Sequence, residues 1–130
     1  MTRELSIRFE QGLVVFIVEG PLNADIVFDL FTEAAADLRY DPTMHRLWDL
    51  RAVNLSNFDS ARVRELAARL RASDYKLSTG GRAAHVTTSD LNYGIVRMFE
   101  AYADAIDAGE RRAFRDIEEA RAWLGAGKDG

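Results

Sequence analysis

Residues 13 to 18 read Leu-Val-Val-Phe-Ile-Val, an unbroken apolar run rich in β-branched side chains. Such a run suits a strand that is covered on both faces or set centrally in a sheet. Just before it, Leu5, Ile7 and Phe9 alternate with Ser6, Arg8 and Glu10, the period-two pattern of a strand with one buried face. Gln11-Gly12 turns the chain between them, so an antiparallel hairpin is expected, with the first strand at the edge.

After the hairpin the pattern becomes helical. Gly20-Pro21 ends the strand, and Asn23 is a suitable N-cap for a helix with Ile26, Val27, Leu30, Phe31, Ala34 and Leu38 on one side. Asp41-Pro42 closes that region, and a short strand follows over residues 46–50. Val63, Leu66, Ala67 and Leu70 then recur at i, i+3, i+4 and i+7, a second amphipathic helix. Its start is marked by Ser56 with Asp59 as a capping box, or by Asp59 alone. Gly80-Gly81 breaks the chain before a small-residue strand over 83–87. A third helix carries Leu91, Ile95, Met98, Phe99, Tyr102 and Ile106, with Gly109 at its C′ position. A last short strand is expected over 112–115, and Asp116 caps a closing helix that turns Ile117, Ala120, Trp123 and Leu124 inward. The order ββαβαβαβα predicts an α/β fold with a mixed, mainly parallel sheet of four to five strands and four helices. One domain is expected over residues 1–125, with a disordered tail over 126–130.

A chain of 130 residues suffices for one domain that buries roughly two thirds of its unfolded surface. The absence of cysteine excludes disulfides, thiolate metal sites and thiol nucleophiles. No apolar run approaches the roughly 18 residues that span a bilayer, and the first residues lack a signal-peptide core. A cytoplasmic protein that is not an integral membrane protein is expected. A net charge of −4 opposes broad attraction to nucleic acid. His45 and His85 have no metal-type partner at i+3 or i+4, and no GxSxG, P-loop or GxGxxG pattern occurs. Paired carboxylates such as Glu118-Glu119 fall on solvated helix faces. No metal, no cofactor and no catalytic residue is therefore expected, and His85, inside an apolar strand, is read as a hydrogen-bonded core imidazole.

Polar residues gather where the strand over 46–50 gives way to the second helix. In an open α/β sheet the loops at the carboxyl ends of the strands meet helix N-termini, which favour polar and anionic ligands. Asp49 and Arg51 flank that strand end, either as a local ion pair or as ligand contacts. Ser56, Asp59 and Ser60 are residue types used for capping that also suit ligand contact. Arg97, four residues after Tyr93 on the third helix, combines a stem suited to apolar surface with a head that reaches the sheet edge. Gly94 costs that helix about 1 kcal/mol, which close packing would explain. Arg62, Arg64, Arg69 and Arg71 form either a basic surface for an acidic partner or a solvated face. Asp49, Arg51, Ser56, Asp59 and Arg97 make up the expected ligand- or partner-binding set.

The corner Val18-Glu19-Gly20-Pro21-Leu22, the segment Leu47-Trp48-Asp49-Leu50-Arg51 and the closing Phe114, Glu119-Ala120 and Trp123-Leu124 resemble the SpoIIAA-like group of STAS-type domains over almost the whole chain. The resemblance implies a β/α superhelix with helices largely on one side of the sheet, and no enzyme activity. In sporulation anti-sigma factor antagonists of the wider STAS class, a serine in an Asp-Ser-Ser-Gly turn at the start of the second helix is phosphorylated. Ser60, in Asp59-Ser60-Ala61-Arg62, stands near that position, but the second Ser and the Gly are absent. Relatives of the Sec14 type imply small-molecule or lipid binding instead. A non-enzymatic regulatory domain is thus expected, engaging a protein partner or a small apolar, lipid-like ligand at the segment 49–60. The alternatives are a phosphoswitch at Ser60 and a small enzyme. A homodimer is also expected, because helices on one side would leave the apolar run at 13–18 uncovered on the other.

Overall fold

The computed structural model describes residues 5–10, 12–41, 43–56, 58–72, 81–103 and 110–128. β1 (Leu5–Glu10) and β2 (Leu13–Pro21) form the expected antiparallel hairpin, turned at Gly12, whose φ of 72° favours glycine. Then follow α1 (Ala24–Ala36), β3 (His45–Asn54), α2 (Ser60–Ala72), β4 (Ala83–Val86), α3 (Asp90–Ala103), β5 (Arg111–Phe114) and α4 (Ile117–Lys128). The sheet runs β1-β2-β3-β4-β5, and β2 to β5 are parallel. Each parallel strand is added on the same side of the last, and crossovers keep one hand, so α1, α2 and α3 all pack on one face. α4 follows the last strand, makes no crossover, and covers the other face.

Two cores result. Val14, Phe16 and Val18 of β2 and Trp48 and Leu50 of β3 meet the inner sides of α1, α2 and α3. Phe16 stacks on Trp48 with ring centroids 4.1 Å apart, and Phe31 meets both edge-on at 5.8 and 5.2 Å. On the far face Leu13, Val15, Leu47, Val86 and Phe114 pack against Ala120 and Leu124 of α4. The run at 13–18 is covered on both faces by these two layers, which removes the uncovered surface on which the homodimer was expected.

Local chemistry explains most boundaries. Asn23 Oδ1 accepts from the Ile26 amide at 2.9 Å, Asp59 Oδ1 from the Arg62 amide at 2.9 Å, and Asp116 Oδ1 from the Glu118 amide at 2.7 Å. Asp59, not Ser56, therefore caps α2; the Ser56 amide instead donates to Asn54 Oδ1. A Cβ on Gly81 would collide with the backbone carbonyl of Met44, which fixes glycine there.

Several expectations are corrected. β3 runs on to Asn54 rather than ending at residue 50, because a bulge inserts one residue between the pairs Ile17↔Asp49 and Glu19↔Ala52. The inward positions accordingly switch from Trp48 and Leu50 to Val53 and Leu55. α1 stops at Ala36, with Asp37 as C-cap, which leaves Leu38 fully exposed rather than on the apolar stripe. Leu91, in the first turn of α3, is 60% exposed. Gly80, Ile106 and Gly109 lie outside the described residues.

Candidate functional site

The polar residues singled out in the sequence do not converge. Arg51 Nε and Nη2 each donate to the Asp49 carboxylate at 2.8 Å, and the Arg51 amide adds a bond at 3.3 Å. Asp49 shares the parity of Leu47, so this pair lies on the α4 side, where Arg121 adds to the field on Asp49. Ser56, Asp59 and Ser60 are exposed beyond β3 at the start of α2, on the other helical layer. Arg97 is exposed on α3, with Nε 3.8 Å from Glu100 Oε1. Gly94 is exposed, and a Cβ there would meet nothing within 4 Å, so close packing does not explain it.

The Asp49 carboxyl is held below the usual carboxylate range, chiefly by the side-chain hydrogen bonds from Arg51, while burial opposes this. A lowered folded-state pKa contributes stability that is present above the unfolded value, roughly 3.9, and is lost as pH falls through the folded value. Asp49→Asn should therefore flatten the loss of stability below about pH 4. Asp37, held at about 2 by hydrogen bonds from Arg39, is also lowered and is intact in the variant. Urea midpoints as a function of pH report the difference; superimposable acid limbs would show that the Asp49 pair adds nothing.

What the fold does assemble is a cavity of about 90 Å³ between the sheet and its three-helix layer. Val27 and Phe31 of α1, Val63 and Leu66 of α2, and Ile95, Val96 and Phe99 of α3 form its roof. Trp48 and Leu50 of β3 and Ala83 of β4 form its floor, and Leu22, Leu55 and Phe58 close one end. The small side chain of Ala83 lies between the longer Arg46 and Arg111, with which it is in register on the neighbouring strands.

The other end of the cavity is polar. Arg46, 3% exposed, and Arg111 line it on either side of Ala83, and each also interacts elsewhere within the protein. His85, one step along β4 and flanked by Trp48 and Ala113, lines it too. Its Nδ1 lies 3.4 Å from Glu100 Oε2 of α3, and neither of these buried atoms has a hydrogen-bond partner. The expected hydrogen-bonded core imidazole is thus not found. Phe99 approaches the ring edge-on at 6.2 Å. Of the residues chosen from the sequence, Arg97 alone connects to this end, through Glu100.

Among the described residues no group of three or more His, Asp or Glu is placed to hold a metal, and no helix is long and apolar enough to cross a membrane. Neither a protein-family model nor a curated protein matches the sequence. Solved structures do match in shape. An uncharacterised DUF3478 protein with a SpoIIAA-like fold from Shewanella loihica PV-4 is 20% identical, over 94% of this chain and 93% of that one, with a TM-score of 0.56. An anti-sigma factor antagonist from Mycobacterium paratuberculosis is 14% identical, over 95% of each chain, with a TM-score of 0.59. With its β1-β2 hairpin, parallel β2 to β5 and four helices, the chain has a SpoIIAA-like fold.

Proposed function

We propose that this chain is a non-enzymatic STAS-type regulatory domain whose cavity takes a small apolar ligand, or the apolar end of a larger one. The cavity of about 90 Å³ carries the reading. Most of its lining is apolar side chains, which suit an apolar guest. Pockets for drug-sized ligands begin at roughly 300 Å³, so a guest or end group of a few carbons is selected. The segment 49–60 takes part through Leu50, Leu55 and Phe58 rather than through its charges.

Xenon dissolved under pressure into the protein solution should produce saturable shifts of the Val63, Ile95 and Val96 methyl resonances, and native mass spectrometry of freshly purified protein should show a small co-purified molecule. Val96→Ile extends a wall residue into the space, and should raise stability by about 0.8 kcal/mol while weakening xenon binding about 10-fold or more. Linear, unsaturable shifts in the unmodified protein would remove the reading.

A second reading is supported by Ser60, which is exposed in the first turn of α2 beside its cap Asp59. A phosphate there would be favoured by the positive end of the helix dipole. The likeness in fold to an anti-sigma factor antagonist supports a protein partner at this surface, with Arg51 and Arg97 as further exposed contacts. Phosphopeptide mapping of protein isolated from its native cells is the test, and a Ser60 peptide found only unmodified would count against the switch.

A further inference from the structure

The apolar cavity has a neighbour on the surface. A cleft of about 500 Å³ lies between the first turn of α1, with Asn23, Ala24 and Asp25, and the side of α2 that bears Arg62, Glu65 and Arg69. It is open to solvent: the Asp25 side chain is 82% exposed, and its carboxylate meets Arg69 at 3.0 Å across the two helices. Among the described residues, Leu22 and Phe58 line both the cleft and the cavity. They are 4% and 8% exposed, so at this end a layer of apolar side chains separates the two spaces.

The two residues of that layer are held differently. The Leu22 amide donates to the Asn54 carbonyl at 3.2 Å, directly after the last β2–β3 pair Pro21↔Asn54, and Asn23 beside it caps α1. Moving the Leu22 backbone would therefore loosen the sheet and a helix together. Phe58 lies between β3 and α2, with its amide bound to the Leu55 carbonyl at 2.9 Å. Its ring, the larger part of the shared wall, leaves by a rotamer change about χ1 that breaks neither that bond nor the Asp59 cap of α2. The cleft has room to receive it. A ring turned outward meets water, so the closed position is the resting one. We infer that the cleft is the way into the cavity and that Phe58 is its gate, on the premise that the cavity takes a guest. Opening is a local side-chain event of the folded protein, reached without unfolding.

The chain holds no cysteine, so a single introduced thiol reports access to the cavity without background. Val96→Cys places it on the α3 wall, at a position that lines the cavity and not the cleft. Methyl methanethiosulfonate, small and uncharged, is the probe. With Phe58 in place, its rate of reaction at low urea should not depend on urea, because a side-chain opening exposes little surface whereas unfolding exposes much. Adding Phe58→Ala should raise that rate at least about 10-fold, since modification follows the population of the open form. Phe58→Leu, the milder change should the alanine variant not fold, should raise it at least about 3-fold. Leu66→Ala shortens a cavity wall residue that does not line the cleft, and should leave the rate within about 2-fold. A Phe58→Ala rate no higher than the Leu66→Ala rate, or a rate that climbs with urea from the start, would overturn the gate, while saturable xenon shifts still upheld the cavity as a ligand site. Xenon shifts that fail to saturate would remove the cavity reading and the gate with it, whatever the rates.

Discussion

Trp48→Ala is expected to destabilise the protein by about 3 to 5 kcal/mol, a large share of the 5 to 15 kcal/mol that holds an ordinary domain together. Trp48 is 5% exposed at the middle of the three-helix core. Its ring stacks on Phe16 at 4.1 Å and receives Phe31 edge-on at 5.2 Å, so its loss removes two aromatic contacts along with buried apolar area. Collapse into the vacated space is opposed, because Trp48 already borders the cavity of about 90 Å³ and the two voids would merge. The cost rises with the volume left unfilled. Trp48→Phe, which keeps a ring over Phe16, should cost roughly half as much or less. Urea unfolding with an unchanged slope and a lowered midpoint is the measurement. A loss of only about 1 kcal/mol for the alanine variant would show that the helices close over the gap.

The first strand marks what was legible in the sequence. The alternation of Leu5, Ile7 and Phe9 against Ser6, Arg8 and Glu10 was readable as an edge strand of the hairpin, because a strand's period of two is a local property. The element order was readable for the same reason, as were the caps at Asn23 and Asp116, each of which depends on three or four adjacent residues. The extension of β3 was hidden because the bulge breaks the alternation, so that Arg51-Ala52-Val53-Asn54 reads as a polar loop. The covering of the far face by α4 was hidden because helix amphipathicity says that a helix packs, not on which side of a sheet.

The site was less legible still. Asp49 and Arg51 attract notice as charges beside an apolar strand, yet they satisfy each other on the face away from the cavity. The cavity wall draws residues from Leu22 to Arg111, and no sequence window contains it. His85 was visible as a polar residue in an apolar strand. Its neighbour Glu100 comes from the opposite layer, and only the packing of α3 on β4 brings the two within 3.4 Å. The buried Arg46 had one signal, its place in phase with Trp48 and Leu50, which puts a guanidinium on the inner face.

Leu124→Asp is expected to undock α4 and turn a protein with two covered sheet faces into one that associates. Leu124 is 1% exposed, packed with Leu13, Val15, Leu47, Val86 and Phe114. Removing such a side chain costs about 2 to 5 kcal/mol through lost burial and the space left behind. A carboxylate in the same place adds the cost of desolvating an unpaired charge, which the helix avoids by leaving the sheet. β2, β3, β4 and β5 would then present a continuous apolar strip to water, the kind of surface that marks or creates an interface. α1, α2 and α3 pack on the opposite face, so their layer and the Phe16–Trp48 stack need not be lost with α4. Light scattering should give a mass that grows with concentration for the variant, accompanied by increased binding of a hydrophobic dye. Leu124→Ala, which leaves α4 apolar, should lose stability without that growth in mass. A Leu124→Asp protein of constant mass, unchanged dye binding and near-native unfolding midpoint would show that α4 is not what keeps the far face from other copies of the chain.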